Sequence, residues 1–155
     1  MKKISSIIGL LLVGLLFCSN AFSEALQKNV PEDTLRYWSD KVDWREAGPN
    51  LPKGTKIAVL EGNPKESGMF TIRLKTPKNM ILAVHQHPGP ERVTILEGEI
   101  YVGFGEKFNK DIATQFVQGS FYVNPANESH YVYTKNHEAI IQITGMGPWK
   151  VIYEN

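Results

Sequence analysis

The amino-acid sequence predicts an all-β fold, a sandwich or closed barrel built as one domain. Three observations point there. Beyond Gly54 the apolar residues fall in short β-rich runs separated by turn residues, the pattern of strands joined by tight connections. No amphipathic helix longer than a few turns fits that stretch, and no repeat or low-complexity segment interrupts it. The 155 residues, 42% hydrophobic and 21% charged, have the size and balance of a single globular domain.

At the start of the chain, Met1, Lys2 and Lys3 precede an apolar run over residues 7–17, and Ala21, Phe22 and Ser23 give the small-x-small spacing of a cleavage site. Residues 1–23 are therefore expected to be a signal peptide and the protein to be exported, periplasmic or secreted. The apolar run is roughly a dozen residues, short of the ~20 that span a bilayer, so no stable membrane anchor is expected in the mature form. A lipid on Cys18 is the alternative, but Phe17 stands where a small residue is wanted. Since Cys18 is the only cysteine, the mature chain has neither a disulfide nor a thiol nucleophile. Loss of Lys2 and Lys3 takes the 17 basic residues to 15 against 16 acidic ones, which offers no electrostatic footprint for nucleic acid.

Residues 24–50 are polar with scattered aromatics (Tyr37, Trp38, Trp44) and read as an N-terminal arm packing on the barrel, with a turn or two of helix over 31–38. An arm bearing Trp38 and Trp44 is also a feature that a second copy can bury, so a homodimer is one expectation. Residues 51–155 form the β domain. Strands are expected over 56–60, 69–75, 80–84, 92–96, 100–104, 113–117, 121–123, 130–133, 139–144 and 149–153, with turns such as Glu97-Gly98 between them.

Side chains alternate faces along a strand, so His85 and His87 project to the same side. The turn Pro88-Gly89-Pro90 then returns the chain so that Glu91 heads the next strand, and His130 opens a strand of its own. Imidazole and carboxylate together suit Mn, Fe, Ni, Cu or Zn. Two histidines at this spacing are in themselves commonly a surface pair. The longer string decides the matter, because His85, His87, Glu91 and Gly98 fit the form G-x5-H-x-H-x3/4-E-x6-G, and Gly119, Pro125 and His130 fit G-x5-P-x-G-x2-H-x3-N.

On these motifs the chain resembles the cupin superfamily, and over residues 51–153 it is similar to small exported cupins of unassigned activity. Asn79 replaces the leading glycine, Asn127 the glycine of the second motif and Thr134 its closing asparagine. The left-handed backbone that glycine would supply is one that asparagine tolerates. The resemblance implies a single jelly-roll-like β-barrel holding one divalent metal ion on His85, His87, Glu91 and His130.

By parity, Ala83 should share a face with His85, Val93 and Ile95 with Glu91, and Val132 with His130, which makes the lining largely apolar. Gln142 and Tyr101 are polar candidates of unfixed facing. Trp149, Phe104, Phe121, Tyr122, Tyr131 and Tyr133 are read as core and wall, and His137 as a solvated surface residue. The function expected is that of a metal-dependent enzyme acting on a small organic molecule, of dioxygenase, decarboxylase or isomerase type. The apolar lining slightly favours oxygenation. A module that binds a small ligand or metal without turnover is the alternative, and a barrel merely stabilised by its site is a third reading.

Overall fold

The computed structural model describes Pro31 and residues 33–154; the expected signal peptide and the first part of the arm lie outside them. The chain divides into two units, residues 1–36 and 37–155. In the first, the described residues make one turn, with the Thr34 amide donating to the Pro31 carbonyl over 3.1 Å. Among the described residues of 31–38 the expected helix is absent. An eight-residue segment with no apolar face to bury is too short to pay for helix nucleation, and Trp38 is extended (φ −85°, ψ 144°) before a 3-10 turn at Ser39–Lys41.

The second unit is a two-sheet jelly roll without an α-helix among the described residues. Its strands are β1 (Arg45–Glu46), β2 (Lys56–Glu61), β3 (Gly68–Thr76), β4 (Ile81–Gln86), β5 (Glu91–Glu97), β6 (Glu99–Phe104), β7 (Thr114–Val117), β8 (Phe121–Asn124), β9 (His130–Tyr133), β10 (Ala139–Gly147) and β11 (Ile152–Tyr153). One antiparallel sheet runs β1-β2-β3-β10-β5-β8 and the other β11-β4-β9-β6-β7, so the expected barrel consists of two separate sheets rather than one hydrogen-bonded ring. β1, which lies in the stretch assigned to the arm, was not expected as a strand; it is a two-residue edge on β2.

The core follows the period of two. Phe70, Ile72 and Leu74 of β3, Val93 and Ile95 of β5, and Ile141 and Ile143 of β10 alternate with outward residues and meet Ile100, Val102 and Val132 of the second sheet. Burial of such side chains stabilises by roughly 1.5–3 kcal/mol each, enough to order a domain that lacks a disulfide.

The positions that depart from the motifs keep their backbone role. Asn79 and Asn127 are left-handed, with φ of 57° and 58°. Thr134 is buried; its hydroxyl donates to the Pro77 carbonyl (2.7 Å) and accepts from the Met80 amide (2.9 Å), pinning the turn that leads into β4. Gly98 must be glycine: its φ is 70°, and a Cβ there would lie 2.4 Å from the Glu138 carbonyl oxygen.

Candidate metal centre

The site begins with an irregularity in β4. Leu82 pairs with Val132 and His85 with His130, so three steps on β4 oppose two on β9. The extra residue is a β-bulge, which breaks the simple alternation and re-aims the side chains beyond it. Leu82 and His85 consequently both reach the cavity, and Ala83 is exposed, contrary to the expectation that it shares the histidine face. His87 lies one residue past the strand end and faces the same way as His85.

His85, His87 and His130 come together between the sheets. They are 1%, 3% and 1% exposed, and one ring nitrogen of each lies within 4.8 Å of the others. Ring centroids are 4.3 Å apart for His85 and His130, 4.9 Å for His85 and His87, and 5.2 Å for His87 and His130. Each Nδ1 contacts a backbone carbonyl: His85 that of Ala83 (2.7 Å), His87 that of Lys150 (2.7 Å), His130 that of Glu128 (2.9 Å). A carbonyl only accepts, so each Nδ1 carries a proton and each Nε2 presents its lone pair or a second proton inward.

Glu91 stands beside this trio, 3% exposed and outside the group of mutually close nitrogens. Its Oε2 is 3.1 Å from His87 Nε2 and accepts from Asn124 Nδ2 at 3.0 Å, while its Oε1 accepts from Trp149 Nε1 at 2.5 Å. Trp149 also stacks on His87, with centroids 5.5 Å apart and planes 16° from parallel. One indole therefore holds both the imidazole and the carboxylate.

The charges follow from these contacts. Burial, then repulsion from His130, hold the His85 imidazole down at about 3. Burial likewise lowers His130. Burial works against a charged His87 too, but the hydrogen bond and charge of Glu91 outweigh it and the net direction is up. For Glu91, burial favours the neutral acid, and the contacts to His87, Asn124 and Trp149 overcome it, so the carboxyl lies below its ordinary range. In the metal-free site His85 and His130 thus favour the neutral form, while His87 holds its proton more firmly through Glu91, and a cation can replace that proton. Burial and the charge of Glu91 also keep the neighbouring Tyr122 phenol protonated.

The residues fit a divalent cation. His130 Nε2 is buried and has no hydrogen-bond partner, a costly state for a ring nitrogen unless something ligates it. Three imidazoles with a carboxylate at hand suit first-row transition metals and zinc without distinguishing among them. Around them lies a cavity whose lining includes Leu51, Leu74, Leu82, Ile141 and Val151. Val93 and Val132 line it as parity predicts, whereas Ile95 lies in the core.

Trp149, Tyr122 and Asn124 line the cavity, although the first two read from sequence as wall and the third went unnoticed. Phe121 and Phe104 are exposed, at 59% and 42%, and do not belong to the core. Gln142 faces out and accepts from Arg73 Nε, Tyr101 belongs to an outer tyrosine cluster, and His137 is exposed as expected.

A family model described as the ChrR cupin-like domain matches residues 34–150. The chain belongs to that family. Among solved structures, this cupin is similar to an acetylacetone dioxygenase from Acinetobacter johnsonii, with a TM-score of 0.62 and 19% identity over 82% of each chain. It is also similar to the polyketide cyclase RemF from Streptomyces resistomycificus, with a TM-score of 0.59 and 17% identity over 79% of this chain and 87% of that one. KdgF from Halomonas sp. matches at a TM-score of 0.54 and 14% identity, over 71% of this chain and 92% of the other. At these identities the likeness establishes a shared fold. No curated protein matches in sequence.

Proposed function

We propose that this cupin is a metal-dependent enzyme acting on a small organic molecule, with His85, His87, His130 and Glu91 holding one divalent cation. The observation that carries the reading is the unpartnered, fully buried His130 Nε2 facing two further imidazoles whose Nδ1 atoms are already engaged. A cation bound there supplies Lewis-acid polarisation of a substrate oxygen or activation of dioxygen. The chain's own part is to orient the imidazoles through backbone carbonyls, to steady Glu91 through Asn124 and Trp149, and to keep water from the apolar wall. Oxygenation is the reaction type we favour, since that wall suits an apolar substrate, and the fold is shared with a dioxygenase and a cyclase.

A binding module without turnover is the second reading. It is favoured by the lack, among the described cavity residues, of an acid or base other than the histidines and Glu91, the Tyr122 phenol being held protonated. The two part on one experiment: metal analysis of protein purified without chelator, followed by oxygen uptake against small phenols and diketones. Uptake that depends on added iron or manganese supports the enzyme. Tight ligand capture with no uptake supports the module, and a metal content near zero after loading sinks the enzyme.

Export is part of the same proposal, supported by the order of residues 1–23. Mass measurement of the secreted form should give a chain starting at or near Glu24; an intact Met1 would overturn it.

A further inference from the structure

We propose that the cavity beside the histidines binds a small uncharged molecule with an apolar body and a hydroxyl group, anchored by Asn124 Oδ1 and Thr55 Oγ1. This deepens the functional reading above and depends on it only for the position of the ligand next to the metal, since both anchors belong to the chain. Among the described residues, three buried side-chain polar atoms have no hydrogen-bond partner: Thr55 Oγ1, Asn124 Oδ1 and His130 Nε2. All three residues line the same cavity. Thr55 is 2% and Asn124 1% exposed, so bulk solvent does not satisfy them. Unpaired buried groups are rare in folded proteins, and three meeting in one cavity mark a place where a ligand completes the bonding.

Their chemistry restricts what that ligand is. Asn124 Nδ2 donates to Glu91 Oε2, which fixes the amide so that its free end is the oxygen. That oxygen only accepts, so the ligand must offer a donor; the Thr55 hydroxyl can donate or accept. The Thr55 backbone is held on both sides, its amide donating to the Pro52 carbonyl and its carbonyl accepting from the Ala47 amide, which fixes the place of the residue in the wall.

Charge is excluded by the rest of the wall. No Lys or Arg lines the cavity, and the Glu91 carboxylate is already occupied by Asn124, Trp149 and His87. A carboxylate or ammonium group placed among Leu51, Leu74 and Ile141 would lose its hydration and meet no charged side chain on that part of the wall. Neutral alcohols and phenols remain as the class that matches.

The test uses three probes of one ring and one methyl group: 4-methylphenol, 4-methylanisole, which lacks the donor, and 4-methylbenzoate, which is charged. Calorimetric titration of the parent should show 4-methylphenol binding at least about tenfold more tightly than either of the others. In Thr55→Val, which keeps the shape and loses the hydroxyl, affinity for 4-methylphenol should fall several-fold while the melting temperature of the ligand-free protein rises, because an unsatisfied buried hydroxyl is gone. A hydroxyl with a structural role alone would lower that temperature. Equal binding of 4-methylanisole, tighter binding of 4-methylbenzoate, no binding of 4-methylphenol to the folded parent, or unchanged affinity in Thr55→Val would each overturn the inference. Metal content measured on the same preparations keeps the two readings apart. A protein that takes up 4-methylphenol but no metal retains the ligand site and loses the metal centre; one that holds metal but ignores the phenol does the reverse.

Discussion

Strand β9 has two buried faces that handle polar groups in opposite ways. Outward, Tyr131 and Tyr133 join Tyr101 in a cluster where every hydroxyl has a partner: Tyr131 donates to the Asn109 carbonyl, Tyr133 to that of Lys110 and Tyr101 to Glu99. The Tyr131 ring lies against Gly103, where a Cβ would come within 2.0 Å of it, and Lys135 sits 4.0 Å over the Tyr101 ring. Inward, His130 is as buried as Tyr131, yet its Nε2 has no partner. The outer face is a finished structure. The inner one waits for something that the chain does not contain, and burial by itself does not tell the two apart.

Substitutions at adjacent residues should expose that difference. Tyr131→Ala removes a fully buried ring whose loss is expected to cost about 3–5 kcal/mol, read as a large drop in melting temperature with metal content per folded chain unchanged. His130→Ala should do the opposite: metal affinity falls about a hundredfold or more, ~2.7 kcal/mol, while the metal-free protein loses much less stability than Tyr131→Ala does. If the parent and His130→Ala carry the same metal, the contrast between the faces is spurious.

Trp149→Phe keeps a ring on His87 and deletes the N–H that holds Glu91, so a tenfold weaker affinity, roughly, is expected with an unchanged circular dichroism spectrum. An unaltered affinity would reduce the indole to packing. Acidity sharpens the picture further. His87 titrates above its ordinary value while His85, at about 3, and His130 lie below theirs, so under mildly acidic conditions only His87 must give up a proton to the incoming metal. Below the His87 pKa the dissociation constant should therefore rise about tenfold per pH unit, the slope of one displaced proton, and a slope near three would mean that all three rings compete. At the small end, His137→Ala should leave metal content and melting temperature within error of the parent, since the residue is exposed and away from the site.

Nine of the ten strands expected beyond Gly54 are present over most of their length and the tenth, expected over 149–153, is cut to Ile152–Tyr153; the nine are short, rich in apolar residues and bounded by turn chemistry that sequence displays. The three histidines converge for the same reason, and Asn79 and Asn127 adopt the left-handed backbone that their places in the motifs call for. What sequence hid was anything that depends on partners far along the chain. The bulge before His85 is a matter of register against β9, so Ala83 was assigned to the wrong face. Trp149 read as a wall residue because an aromatic after Gly147-Pro148 has no local sign that its N–H reaches a carboxylate 58 positions earlier. Asn124 closes a strand next to a proline and looks like turn chemistry, although its amide lies in the cavity.

The separation of those partners along the chain also orders events in time. His85, His87 and Glu91 come from one short stretch, but the carbonyl that orients His87 belongs to Lys150, 63 residues later, and the indole that steadies Glu91 precedes it by one residue. Both follow every strand of the core in the order of synthesis. A chain that has emerged only as far as its first two histidines would accordingly have a pair of ligands without the carbonyl and the indole that hold them in place. Metal at the proposed centre would then be retained only once the last strand has closed over the first ligands.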